Sequence, residues 1–429
     1  MWLDLLRTFA MASRFIVISA IVFSFIHGMA LSDNLPNEIL LKIDHDPALQ
    51  PQVITTVGSG HLVVAGESTA VQSAWAIKID TAGRVLWSYV FSGRAEGVPI
   101  SQRLLFTPKF SGAVAMSDGT TYLCGSLPRP PSQYYSPGLL VHLDTAGREL
   151  SVQYLLPKDR NAFGVARFTG CTNWGNGLAI IGYVWHVIRT GEQNAPIAPG
   201  AAYWLLTIDS DGSIKSEAQI RSSIKSSVLD VGPILSVPHS GTSLVFGATD
   251  SLNTEFVRVN ETGAVESTRL LTGHYELVRP VASDGPVQAF GTSFSEPYKK
   301  VVLTLDGELN ESQRIEGPHP TDFAAHLAYR MPDGSLTLFG SAKNSFGAGF
   351  HSSIAHVAAN LSSEEQMELP RDKIDDEYSI WAATPASSVG EFAVARMAIA
   401  HALSAKNPDG TDPVGDFSRG AAIDFMRIK

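Results

Sequence analysis

The sequence predicts an all-β fold: a seven-bladed β-propeller of four-stranded antiparallel blades, with the last blade closed by the amino-terminal strand. Three features lead there. A short apolar strand ending in glycine returns about every 55 residues, a period that marks repeated supersecondary units. Each copy lies between two hairpin signals, which gives four strands per unit. The last unit runs out of chain before its outer strand, and the start of the chain carries a spare strand.

In order, the recurring strand is Leu62-Val63-Val64-Ala65-Gly66, Tyr122-Leu123-Cys124-Gly125, Leu178-Ala179-Ile180-Ile181-Gly182, Leu244-Val245-Phe246-Gly247, Val287-Gln288-Ala289-Phe290-Gly291 and Leu336-Thr337-Leu338-Phe339-Gly340. A seventh copy, Phe392-Ala393-Val394-Ala395-Arg396, lacks the glycine. The turn before each copy is glycine-rich or contains Asp-Gly, as at Asp118-Gly119, Asp284-Gly285 and Asp333-Gly334. Asp-Gly between apolar runs favours a hairpin because both central positions take positive φ. A second hairpin follows each copy. Residues 75–80 turn at Thr81-Ala82-Gly83-Arg84 into 85–90, and the pattern returns at Thr145-Ala146-Gly147-Arg148 and Ser210-Asp211-Gly212. Weaker versions turn at 260–263, Asp306-Gly307 and 360–363. The seventh unit supplies strands near 380–384, 392–398 and 421–429, which leaves its outer position to 38–43.

At roughly 150 residues per domain, a chain of 429 residues allows two or three domains; the repeats make residues 31–429 one. Hydrophobic residues at 44% and charged residues at 17% describe a chain with a packed core. With 32 Lys plus Arg against 42 Asp plus Glu, a net charge of -10 and no basic block, a nucleic-acid partner is excluded. Residues 15–26 form an apolar run between Arg14 and His27-Gly28-Met29-Ala30, the pattern of a secretory signal cleaved after Ala30. Met11 offers a second start. The run is shorter than the roughly 20 residues that span a bilayer. Residues 1–30 are therefore expected to be a signal peptide, and the mature chain a periplasmic or secreted monomer with no membrane span.

The repeat unit is an apolar strand, a glycine, a loop, a strand ending in Ile/Leu-Asp, a glycine turn and an aromatic-containing outer strand. It resembles bacterial secreted β-propeller repeat proteins, in which many copies read Trp-x-x-Lys-Ile/Leu-Asp-x-x-Gly-x-x-x-Trp. Residues 75–87 match that pattern best. The resemblance covers nearly the whole mature chain; it implies the fold and assigns no chemistry. Residues 80–87 are also similar to the docking motif of quinoprotein-type propellers. Those proteins usually have eight blades and the motif in most of them, whereas here only the first blade keeps the tryptophan, so neither a quinone nor any other cofactor is expected.

No catalytic or metal-binding set stands out. Asp209-Ser210-Asp211-Gly212-Ser213 begins like a calcium loop, but an EF-type loop needs a bidentate Glu where Ile220 stands, and a hairpin turn is expected instead. The 12 histidines are scattered, without a His-Glu-x-x-His pair. His351 and His356 fall on opposite faces of one strand. His142 shares a column with Lys78, Thr207, Arg258 and Thr304 and reads as a tolerated polar position. A Gly-x-Ser-x-Gly elbow and a P-loop are both lacking. Cys124 is expected inside a buried strand and Cys171 in the turn before Trp174, at a different height, as two unpaired thiols. Asn260, Asn310 and Asn360 sit in glycosylation-type triplets, and tight turns account for them.

The long connections point to a binding face. In a propeller the second-to-third-strand loops and the blade-to-blade connections emerge on one side. The long segments 92–109, 128–137, 186–200 and 399–420 all belong to that side and come from blades 1, 2, 3 and 7, which are neighbours on a closed ring. Loops longer than about 12 residues in a compact domain are usually functional or disordered. These carry Tyr134 and Tyr135, then Trp185, His186 and Arg189, and an acidic group of Asp409, Asp412 and Asp416 among Gly and Pro. Those eight are the candidate binding residues. The expected function is recognition or scaffolding, with a protein or cell-surface polymer as partner. The alternative is a propeller enzyme acting on a polysaccharide or small ligand in the central channel, which requires carboxylates or His and Arg converging on the axis.

Overall fold

The computed structural model describes residues 37–428 except 44–48, 59, 69–72, 92–107, 128–136, 159–162, 187–199, 225–229, 232–234, 239–241, 251, 282–285, 293–298, 318–322, 344–349, 369–375, 386–390 and 401–420. Every regular element in the described residues is a strand. Blade 1 consists of Leu49–Val57, His61–Ser68, Ser73–Ile79 and Val85–Val90, numbered from the inside outward and paired antiparallel. Blade 2 is Lys109–Ala115, Thr121–Ser126, Gly138–Leu143 and Glu149–Leu155; blade 3 is Phe163–Trp174, Gly177–His186, Gly200–Ile208 and Ile214–Arg221. In blade 4, Asp230–Val231 and Leu235–Pro238 together form the inner edge, followed by Thr242–Thr249, Asn253–Val259 and Val265–Thr272. Blade 5 is His274–Pro280, Val287–Thr292, Lys300–Leu305 and Glu311–Gly317; blade 6 is Phe323–Arg330, Leu336–Lys343, Phe350–Val357 and Glu364–Glu368. The inner strands of blades 5 and 6 also pair in parallel over Val278↔Ala328 and Pro280↔Arg330. Blade 7 consists of Asp376–Pro385, Phe392–Ala400 and Ala421–Ile428, and its outer strand is Asn37–Ile43, paired from Asn37↔Ile428 to Ile43↔Ile423. The predicted closure by the amino-terminal strand is what the sheet order shows.

Packing between blades closes the ring. Middle strands are buried on both faces, as in Ser73–Ile79 and Thr121–Ser126, which is why they read as unbroken apolar runs rather than alternating ones. Outer strands are exposed or partly exposed over most of their length, as in Glu149–Leu155. Seven apolar clusters fill seven seams. Each joins consecutive blades, from Val63 with Leu123 between blades 1 and 2 to Phe339 with Phe392 between blades 6 and 7. The seventh joins Ile54, Val64 and Ile77 of blade 1 to Ala382, Ala393 and Ala395 of blade 7. Each fully buried Phe or Leu in these seams contributes about 2 to 3 kcal/mol.

The glycine signature has a specific cause. In five blades the inner strand carries a bulge: between Pro51 and Val53, Phe110 and Gly112, Phe168 and Gly170, Ala325 and Leu327, and Ile380 and Ala382. A backbone carbonyl approaches the repeat glycine closely in bulged blades 2 and 3, and also in blade 5, where the inner strand has no bulge and a Cβ on Gly291 would collide with the His274 carbonyl oxygen. A Cβ on Gly125 would collide with the Lys109 carbonyl oxygen, and one on Gly182 with that of Arg167. A side chain at Gly125 or Gly182 would have to displace that carbonyl, whereas in blade 7 Arg396 holds the equivalent position opposite Ile380.

The outer turns form as predicted at residues 80–84, 144–148 and 209–213, where Gly83, Gly147 and Gly212 take φ of 78°, 77° and 85°. Asn260 and Asn360 accept backbone hydrogen bonds within their turns. At 306–310, however, the left-handed position is Leu309 (φ 60°) and not Gly307, and at 358–363 it is Leu361 (φ 57°). Both leucines are buried in interblade seams, so packing there overrides the steric preference for glycine. The expectation for the cysteines is corrected as well. The inner strand of blade 3 extends to Trp174, which places Cys171 within it opposite Ile180, and its sulfur meets that of Cys124.

Candidate functional site

The antiparallel order puts the start of every inner strand, the end of every second strand and the start of every third strand on one rim of the ring. The segments 92–107, 128–136, 187–199 and 401–420 are all anchored there, on blades 7, 1, 2 and 3. Three charged side chains from described strands lie at this rim within electrostatic reach of one another: Glu67, the penultimate residue of the second strand of blade 1; Lys109, which opens the inner strand of blade 2; and Arg167, on the inner strand of blade 3. All three are half-buried. The bulges set their places. Lys109 and Arg167 occupy equivalent positions, each followed by a buried phenylalanine, Phe110 or Phe168, and then the bulge. Ser111 Oγ donates to the Phe168 carbonyl at 2.6 Å and ties the two inner strands together.

Burial pushes the Glu67 carboxyl above its ordinary value, while the positive charges of Lys109 and Arg167 pull it down. Its backbone is fixed by the Trp75 indole, whose Nε1–H donates to the Glu67 carbonyl at 2.7 Å. A half-buried acid flanked by an ammonium and a guanidinium can exchange a proton, and the two cations can hold an anionic group. The sequence does hold a signal for this: of the residues that follow the repeat glycine, Glu67, Ser126, Tyr183, Ala248, Thr292 and Ser341, only Glu67 is charged.

The predicted binding residues are distributed otherwise. Tyr134, Tyr135, Arg189, Asp409, Asp412 and Asp416 lie outside the described residues. Trp185 and His186 end the second strand of blade 3, opposite Val165 and Phe163, at the same rim as Arg167.

The polar column at the opposite, tight-turn rim is structural. Lys78, His142, Thr207, Arg258, Thr304 and His356 hold the same register position in blades 1 to 6. His142 stacks on Tyr122 with ring centroids 4.0 Å apart, and burial lowers its pKa. Arg258 donates to the Gly307 carbonyl of the next blade, and Thr207 shares a hydrogen bond with Ser216. Asp211 accepts from the Ser213 N–H in a hairpin turn. Among the described residues, no three His, Cys, Asp or Glu are grouped to hold a metal ion, and no helix is long and apolar enough to cross a membrane.

No protein-family model matches the chain, and no curated protein sequence does. Solved structures with a similar course include the Pyrococcus horikoshii acylaminoacyl peptidase, at 8% identity and a TM-score of 0.44, covering 83% of this chain and 49% of that one. Puromycin hydrolase follows at 13% identity and 0.48, covering 83% and 52%. The β-propeller domain of the Trilobed protease from Pyrococcus furiosus matches at 10% identity and 0.44, covering 81% and 88%. The chain thus spans about half the length of the first two.

Proposed function

We propose that this protein works by binding: a periplasmic or secreted recognition or scaffold protein that contacts a protein or cell-surface polymer through the rim over blades 7, 1, 2 and 3. The observation that supports this reading is the Glu67, Lys109 and Arg167 group, which lies in the sector where the long segments are anchored. Its partner contacts would come from Tyr134, Tyr135, Trp185, His186, Arg189, Asp409, Asp412 and Asp416. Aromatic and arginine side chains are the types that carry interface energy. The test is capture by the tagged chain from an envelope extract of its own organism. The expected result is a stoichiometric partner, lost on deleting 401–420 and weakened about tenfold or more by Lys109→Ala with Arg167→Ala. Failure of a folded chain to retain any partner overturns the proposal.

The raised Glu67 carboxyl favours one second reading, an enzyme that uses Glu67 on a polysaccharide or small ligand at the channel mouth. Glu67→Gln then abolishes turnover while leaving the fold and partner capture intact.

A further inference from the structure

The chain's 2 cysteines lie in different blades, yet their sulfurs meet at the seam. A Cβ placed on Gly112, in the inner strand of blade 2, would lie 2.5 Å from Cys124 Sγ and 2.7 Å from Cys171 Sγ. The two sulfurs therefore fill the space that any side chain at position 112 would need, and the thiols are hydrogen-bonded to each other. Gly112 faces Cys124 across the blade 2 ladder, whereas Cys171 pairs with Ile180 in blade 3. Cys124 is buried and Cys171 is partly exposed. Neither belongs to the rim site.

We propose that Cys124 and Cys171 form a covalent modification site: given a small-molecule disulfide as oxidant, they close into one cross-link that joins blade 2 to blade 3. Cys171, which solvent reaches, loses its proton, and its sulfur attacks one sulfur of the oxidant R–S–S–R. A mixed disulfide forms and one R–SH leaves. The Cys124 sulfur, already in contact, loses its proton and attacks the Cys171 sulfur, which expels the second R–SH. Two electrons pass from the protein thiols to the oxidant, so atoms and electrons balance. Access sets the order, because burial and the hydrogen bond to Cys171 push the Cys124 thiol up and leave it to resolve the mixed disulfide and not to start it. The cross-link encloses the whole 128–136 segment and ties its anchoring strand to the inner strand of blade 3. Constraining a loop of that size in the unfolded chain raises resistance to denaturation.

The experiment takes the full chain, reduces it, removes the reductant, and exposes it folded to oxidised glutathione before alkylation in denaturant and digestion. Three results are expected together: loss of both alkylatable thiols, a linked peptide pair carrying Cys124 and Cys171, and a higher guanidinium midpoint for the oxidised than for the reduced chain. Cys124→Ala and Cys171→Ala each keep one cysteine and abolish that midpoint difference. Should either variant fail to fold, the comparison of oxidised with reduced wild type decides alone. Two thiols that stay alkylatable overturn the proposal, and so does glutathione that remains on Cys171 unresolved.

Discussion

Truncating Glu255 to alanine is expected to cost about 3 kcal/mol of stability. Glu255 has 0% exposure and lies on the third strand of blade 4 at its seam with blade 3. One carboxylate oxygen accepts from the Tyr203 hydroxyl and from Ser222 Oγ, each at 2.6 Å, and the other accepts from the Ser223 N–H at 2.9 Å. Burial and the Glu255 charge push the Tyr203 phenol far up, so it stays a donor. Glu255→Ala leaves these donors without an acceptor, at about 1 to 2 kcal/mol each. Removing a buried carboxylate returns part of that through its desolvation. Glu255→Gln keeps the volume and one acceptor; the two hydroxyls can rotate to accept from the amide, so its cost falls to about 1 kcal/mol. Tyr203→Phe removes one bond, and the double variant should show a coupling of about 1 kcal/mol with Glu255→Ala. Guanidinium unfolding of the wild type and the four variants gives these values directly. A Glu255→Ala midpoint equal to wild type, or strictly additive single costs, would refute the network.

Three further predictions concern the outer turns and the rim. Gly147→Ala combines φ of 77° with a Cβ 2.6 Å from Trp87 Cγ; denaturant unfolding should show a loss of about 2 to 4 kcal/mol, part of it recovered when Trp87 is made smaller. Leu309→Gly should also destabilise, by about 1 to 3 kcal/mol, although it relieves a left-handed leucine, because the buried side chain is worth more than the strain. For Glu67 the sign runs opposite to that of a salt-bridged acid. Its folded-state pKa is raised from 4.5, so the native chain binds the proton more tightly than the unfolded one, and ionisation weakens the fold as pH rises through and above that value. The stability advantage of Glu67→Gln over wild type should therefore grow between about pH 4 and pH 7; a pH-independent difference refutes it.

What could be read from the sequence is what the chain repeats. Buried middle strands gave apolar runs, close backbone carbonyls leave no room for a side chain at Gly125 and Gly182, and the amino-terminal strand pairs as the outer strand of blade 7. What could not be read is what interblade packing sets. The pattern placed glycine-type turns everywhere, yet Leu309 and Leu361 adopt positive φ because the seam pays more for a leucine there. Cys171 was assigned to a turn because strand length follows from pairing with the neighbouring strand, which no local signal reports. Lys109 and Arg167 share a column with Gln50, Ala324 and Ser379 only after the bulge register is known. The long segments point to the sector over blades 7, 1, 2 and 3 but not to these three charges.

The two rims differ in how they use charge, and this difference favours the loop-bearing one as the working surface. At the tight-turn rim the acids serve their own turns. Asp80 accepts from the Ala82 and Arg84 N–H groups at 2.9 Å and from the Arg84 guanidinium at 2.7 Å, and Asp144 does the same with Ala146 and Arg148. Asp306 accepts from the Glu308 and Asn310 N–H groups. These bonds hold the Asp144 and Asp306 carboxyls below the usual range. These three carboxylates are thus committed to local turn geometry. Glu67, Lys109 and Arg167 come from three consecutive blades, and the two cations act electrostatically on the carboxyl. Charges set side by side by the tertiary fold, at the rim that anchors the longest connections, support the binding proposal.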